Sequence, residues 1–458
     1  MLFNSWIFFI FFVVTIALFF GLKRTKFWQA WLLLASYFFY GWLNPLYVLL
    51  IAYTTVVNYI CGLKLERAER KKLWLLIAVL NNIFILGIFK YAAFFAENLN
   101  VLLNLASPSL NIPVPGHMLP VGLSFYTFIA TGYIIDTYRG KIGAERNFIH
   151  FAAFVSFFPY LLAGPIERAG NMLPQLKSAP EFRMEQITEG LSLFVVGLFK
   201  KIALADFLAL YVNKVYGDPG QFEGFALLMA TYAFAWQIYF DFSGYTDMAR
   251  GCARMLGFNL MLNFNNPYLS TSLGEFWNRW HISLSSWFKD YLYIPLGGNR
   301  SGRFNTYRNM VLTMLVAGLW HGAAWNFVIW GALHALGRSV TRELEATYFY
   351  GKRVPKIVKQ LFIFHLVCLT WIFFRAETFG KAVQVLKGIF SFEWGDPRFS
   401  IVALLFMAAV FGYQYVYESR YKKLLEFSGI KIFFMVAMIL YMIFFRTSGY
   451  EIFLYFRF

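Results

Sequence analysis

The chain has 458 residues, of which 59% are hydrophobic and 14% charged, against roughly 25% charged in a typical soluble domain. With 21% aromatic residues as well, that balance excludes an ordinary soluble protein and points to an all-α polytopic membrane protein, one integral-membrane domain over 1–458. The net charge of +17 sits in short loops between apolar runs, which reads as cytoplasmic anchoring and not as nucleic-acid binding.

The predicted elements begin with apolar runs at Phe3–Gly21, Phe27–Leu43, Leu46–Leu63 and Leu73–Phe95, each long enough to cross the hydrocarbon core. Met1 to Trp6 carries no cation and Lys23, Arg24 and Lys26 follow the first run, so a retained first helix is expected, with its N-terminus on the non-cytoplasmic side. The loops Lys23–Lys26 and Lys64–Lys72 are basic, whereas Asn44-Pro45 and Glu97–His117 hold no Lys or Arg, as the positive-inside rule requires.

The middle breaks that alternation. Leu119–Arg139 and His150–Gly164 are apolar, yet the second has Arg139, Lys141 and Arg146 on one side and Arg168 and Lys177 on the other. A re-entrant or broken helix resolves the conflict. Gln186–Phe207, interrupted by Lys200-Lys201, and Phe222–Phe240 read as further spans. Asn309–Gly337 has basic residues on both flanks, and two short half-helices meeting near His321 would keep both flanks on one side. Leu361–Phe374, Ile401–Tyr417 and Ile432–Phe445 complete about ten to twelve crossings.

Ionisable groups at membrane depth are expensive and mark candidate functional sites. His281 lies in Trp277-Asn278-Arg279-Trp280-His281, followed by Ser283, Ser285, Lys289 and Asp290. In a continuous helix it would share a face with Leu284 and Ser285. An interfacial amphipathic helix explains the tryptophans and lysine of this stretch well, and the histidine less well. His321 is sharper, because Val311–Trp320 and Ala323–Trp330 are almost wholly apolar. Gly318, Gly322, Ala323 and Ala324 allow close backbone approach there. Imidazole titrates near neutral pH, so both histidines suit proton transfer. His334 and His365 read as structural, and His117 and His150 sit at span edges. Asp241 and Asp247 flank Phe242–Thr246 at the end of a span, where they would orient a histidine, hold a cation or form a polar helix–helix joint that caps the next helix. Pro295–Arg300 reads as a turn more readily than as a phosphate cradle. Cys61, Cys252 and Cys368 have neither metal nor disulfide spacing and read as small buried hydrophobes. GxSxG, Walker A and HExxH motifs are absent.

Together these residues resemble the membrane-bound O-acyltransferase family, in the bacterial branch that modifies alginate, peptidoglycan and teichoic acid. The resemblance is carried by Leu119–Phe125, Ile135–Gly140, Ala163-Gly164-Pro165, Tyr239–Ala249, Gly274–Arg300, Trp320-His321-Gly322-Ala323 and Phe453–Phe456, with a motif core at about 119–337. It implies a ring of tilted transmembrane helices, with re-entrant half-helices, around a central tunnel. It also implies that His321 is the catalytic base and His281 the second histidine. Trp280, Asn278, Arg279, Ser285, Asp290, Asp241, Asp247 and Trp320 are candidates for substrate binding or support. The expected donor is acetyl-CoA, with no bound cofactor or metal. A periplasmic acetyltransferase partner and an exported polysaccharide are the expected recipients, and the bacterial inner membrane the location. D-alanyl transfer to teichoic acid is the alternative within the family, and a transporter, flippase or scaffold the alternative outside it. A transporter would usually carry an internal inverted repeat, and none is apparent.

Overall fold

The computed structural model describes residues 1–107, 110–116, 120–445 and 453–456, and its regular elements are helical throughout those residues. His117, at an expected span edge, and Leu119, the first residue of an expected span, lie outside the described residues. The expected apolar runs are helical over most of their described length, and the helices Ala169–Lys177 and Phe379–Phe390 lie outside them. They are α1 (Trp6–Leu22), α2 (Trp28–Gly41), α3 (Pro45–Arg67) and α4 (Lys71–Ala106), then α5 (Leu123–Tyr138), α6 (Phe148–Ser156), α7 (Phe158–Leu161) and α8 (Ala169–Lys177). There follow α9 (Met184–Phe199), α10 (Asp206–Gly217), α11 (Gly224–Met255), α12 (Leu273–Arg279) and α13 (Ile282–Phe288). Last come α14 (Gly302–His321), α15 (Trp325–Ala346), α16 (Lys356–Arg375), α17 (Phe379–Phe390), α18 (Ile401–Glu418), a short turn of helix, and α19 (Ser428–Phe444).

By length and composition α3, α4, α16 and α18 are each able to cross a membrane, and α1 and α19 are apolar but shorter. Other expected spans coincide with helices that are interrupted or carry charges within them. The Lys200-Lys201 interruption is a wide π-type turn, Lys200–Ala205, joining α9 to α10. The span expected to end at Phe240 continues as one helix to Met255, with Asp241 and Asp247 inside it.

The chain divides into two compact units, one of Met1–Leu191 with Ala249–Met261, the other of Ser192–Met248 with Leu262–Phe458. In the first, a polar ladder ties α3, α4 and α5: Asn58 and Asn82 exchange amide hydrogen bonds at 2.9 and 3.1 Å, and Asn82 donates to Thr131 at 2.9 Å. Such bonds hold helices together where the hydrophobic effect cannot. The broken helix expected over His150–Gly164 is present. Helix α6 stops at Ser156, Phe157 departs from helical geometry, and the freed Phe158 amide donates to the Ser36 hydroxyl at 3.1 Å.

In the second unit, α14 and α15 pack as a hairpin whose tip is His321–Ala324. Gly322 and Ala324 are extended there (φ −167° and −151°). The far ends of the hairpin meet: Arg303 and the Tyr307 hydroxyl both engage Glu343, and Arg342 lies over the Tyr307 ring. Both basic flanks therefore end on one side, which removes the conflict with the charge rule. The halves are not the short half-helices expected from sequence, having 20 and 22 residues. Glycines allow their contact, since a Cβ on Gly318 would meet the Phe327 carbonyl at 2.2 Å and one on Gly331 the Met314 carbonyl at 2.3 Å. Gly331→Ala is expected to lower stability by about 1–3 kcal/mol through this overpacking. A lowered melting point of detergent-purified protein checks it, and an unchanged one would show that the hairpin yields.

Candidate active site

The segment carrying His281 is built from short pieces. Ser272 caps α12 by accepting from the Glu275 amide at 3.1 Å, and the Glu275 carboxylate accepts from the Thr271 amide and hydroxyl at 2.7 Å each, a variant of the capping box. Arg279, one turn on, reaches back to Glu275 at 2.9 Å and across to Glu418 at the end of α18. Burial works against the charge on Glu275, yet the Thr271 hydrogen bonds and the Arg279 guanidinium hold its carboxyl below the usual carboxylate range.

The stretch is not the continuous helix considered from sequence. Helix α12 ends at Arg279, Trp280 is extended, and His281 adopts a left-handed conformation (φ 43°, ψ 54°) before α13 begins. A left-handed non-glycine residue costs about 1–2 kcal/mol, and such strain clusters at functional sites. His281 thus shares no helix face with Leu284 and Ser285. Instead its carbonyl accepts from the Ser285 amide at 2.9 Å, and the Ser285 hydroxyl donates to the Trp280 carbonyl at 3.0 Å.

His281 is fully buried and His321 is 4% exposed. The Trp320 ring contacts both imidazoles, its centroid 6.0 Å from that of His281 and 5.0 Å from that of His321. His321 ends α14, where the hairpin breaks, and is walled by Trp330 at 5.0 Å and Phe374 at 5.2 Å. Behind His281, Phe242 stands edge-on at 4.6 Å and Phe264 lies nearly parallel at 6.5 Å. Trp280 fills the centre, packed on Phe264 at 5.0 Å and Trp371 at 5.1 Å. The result is a buried cluster of aromatic rings that holds two imidazoles, the kind of low-water setting in which an ionisable group is a candidate for chemistry.

Other predicted residues distribute unevenly. Asn278 is exposed on α12, and Asp290 is half-buried on the π-type turn after α13. Asp241 and Asp247 cap no helix. They project from the middle of α11, Asp241 holding Lys201 at 2.7 Å and Asp247 holding Lys200 at 2.6 Å. The cation they hold is lysine ammonium, and no cluster of metal-ligand side chains occurs among the described residues. Their link to the site runs through Phe242, between them in sequence.

The outer wall joins a histidine read as structural to two rings that sequence reasoning missed. His334, set aside as structural, is fully buried, accepts or donates a 2.9 Å hydrogen bond with the Thr370 hydroxyl, and packs on Trp330 at 4.6 Å. The spacing of Trp330 and His334, one helical turn apart, could have signalled this. Nothing local signals Trp371 and Phe374, which arrive from α16.

Residues 121–376 match the family model described as MBOAT, membrane-bound O-acyltransferase family. The chain belongs to this family. The matched part contains both histidines and the α14–α15 hairpin. The chain is 43% identical over 401 residues to the "Probable alginate O-acetylase AlgI" of Pseudomonas putida, covering 86% of this chain and 81% of that one. It is 42% identical over 403 residues to the protein of the same name from Azotobacter vinelandii, 86% and 79% of the two chains. It is 37% identical over 397 residues to the peptidoglycan O-acetyltransferase of Helicobacter pylori, 80% and 74% of the two. This membrane-bound O-acyltransferase is thus an acyl-transferring enzyme.

Proposed function

We propose that this enzyme transfers acetyl groups from cytoplasmic acetyl-CoA, across the bacterial inner membrane, for O-acetylation of an exported polysaccharide of the alginate or peptidoglycan kind. The observation that carries the reading is the position of His321, buried at the break of a hairpin, in a chain whose relatives bear O-acetyltransferase names. His321 takes the proton of an acceptor hydroxyl as that oxygen attacks the thioester carbonyl. The C–O bond forms, the C–S bond breaks, and the departing CoA thiolate recovers the proton from the imidazolium. His281, beside Trp320, polarises or orients the acyl group. Trp280, Trp320 and Arg279 hold the cluster's shape, Ser285 closes the turn after His281, and Asp241 and Asp247 fix α11 behind it. Asn278 and Asp290 lie on the rim of the segment, where they support substrate entry. A periplasmic acetyltransferase completes delivery to the polymer.

Inverted membrane vesicles containing the full chain, made from cells that also hold the polymer and its periplasmic partner so that an acceptor hydroxyl is present, test the donor and the acyl group together. Release of free CoA from acetyl-CoA, dependent on the chain, is the expected result. Absence of CoA release, with D-alanine esters on the cell-surface polymer that depend on the chain, would replace acetyl transfer by D-alanyl transfer.

A further inference from the structure

The left-handed turn at His281 is uncommon for a residue other than glycine, even though histidine enters that region more readily than most, and the parts around it hold it in place. Those parts are the extended segment Asn263–Asn265. The Asn265 amide donates to the Arg279 carbonyl at 2.9 Å, and the Ile282 amide donates to the Asn263 carbonyl at 2.9 Å. The residues on either side of Trp280-His281 are therefore pinned to one short strand of backbone. The Asn263 side chain adds a second hold. Its Oδ1 accepts from the Ser283 amide at 3.2 Å and from the Ser283 hydroxyl at 2.9 Å. It thereby satisfies a first-turn amide of α13 that His281, the residue before the helix, does not cap.

We propose that Asn263 is a positioning residue for His281: by gripping Ile282 and Ser283 it fixes the left-handed backbone and, with Phe264 beside it, the direction of the imidazole. This deepens the proposed function and rests on the role given there to His281. Asn263 is 1% exposed. Its Nδ2 finds no hydrogen-bond partner among the described residues, so the amide is held by its acceptor end alone. An aspartate keeps that acceptor end while burying a carboxyl group, whereas an alanine removes the acceptor shared by the Ser283 amide and hydroxyl in a buried place. The next residue, Phe264, faces the imidazole with an interplanar angle of 16°, so one segment sets both the backbone and the ring.

The test is steady-state CoA release from acetyl-CoA by the full chain in membrane vesicles that also hold the acceptor polymer and periplasmic partner, with melting points of the same proteins. Asn263→Ala is expected to lower kcat about 10- to 100-fold, the scale of a small misplacement of a reacting group, with KM for acetyl-CoA changed less than about threefold. Asn263→Asp is expected to return kcat to within about threefold of wild type. A folded Asn263→Ala with wild-type kcat overturns the proposal, as does a folded Asn263→Asp no more active than the alanine variant. Should Asn263→Ala not fold, Asn263→Ser, whose shorter side chain leaves the Ser283 groups unreached, is read by the same two outcomes. His281→Ala run alongside separates the readings. Retained activity there removes the role of His281 itself, whereas lost activity there with an unaffected Asn263→Ala overturns only the role of Asn263. If wild-type vesicles release no CoA, the donor reading has failed, and the same variants are ranked by polymer-bound acetate per unit of membrane protein in cells.

Discussion

His321→Ala is expected to reduce acetyl transfer by about 10²–10⁴-fold, the usual worth of a positioned general base. The protein should still reach the membrane in near wild-type amount. The imidazole sits at the C-terminal end of α14, in contact with Trp320, Trp330 and Phe374 but outside the glycine contacts that join the hairpin. Its loss therefore opens a small gap at the tip and leaves the α14–α15 packing intact. His321→Gln fills that gap while lacking a proton acceptor of comparable basicity, so it should be as inactive as the alanine variant and more stable. Polymer-bound acetate, measured with membrane levels of each variant, decides the matter. Acetylation unchanged in both variants would remove His321 from the chemistry.

The largest effect on stability is expected at Lys201. Its ammonium lies 2.8 Å from Asp206 and 2.7 Å from Asp241, with side-chain exposures of 1%, 7% and 4% for the three. The group is also knitted to the C-terminal segment. Lys201 lies 4.5 Å from the centre of the Phe453 ring, and the Leu454 amide donates to the second Asp241 oxygen at 2.9 Å. Lys201→Met leaves two buried carboxylates facing each other without their cation, a loss of about 3–5 kcal/mol for a buried pair broken on one side. Most of the protein should fail to accumulate, or melt far below wild type. Adding Asp206→Asn and Asp241→Asn to Lys201→Met should recover much of the loss, because the uncompensated charge is then gone. A triple variant no more stable than Lys201→Met would mean that the contribution is not electrostatic. Lys200 and Asp247 are more exposed, at 22% and 13%, so breaking that pair should cost less.

The two histidines also mark the boundary of what the residues alone convey. Hydropathy located the helices, because a span must be apolar for its whole length and that is a property of consecutive residues. Charge placement located the two irregular places. The break between α6 and α7 and the α14–α15 hairpin are the segments where basic flanks on both sides defeat a simple crossing. The glycines around His321 announced close packing, and Gly318 and Gly331 provide it. Family membership was likewise legible, since it rests on residue identities in order along the chain.

Three-dimensional packing decided the rest. The turn at His281 departs from the helix that its sequence allows, because the bonds from Asn263 and Asn265 come from another part of the chain. Asp241 and Asp247, whose sequence left open a histidine, a cation or a polar helix–helix joint, became partners of Lys201 and Lys200 once the π-type turn faced both lysines toward α11. Phe374 reached His321, and Trp371 reached Trp280 and Trp330, from a helix about fifty residues on. Sequence determined which segments enter the membrane and which histidines stand out in it, for those depend on local composition. Only the tertiary structure determined how the two imidazoles are aimed, because backbone strain and buried charge are tolerated only when distant residues compensate them.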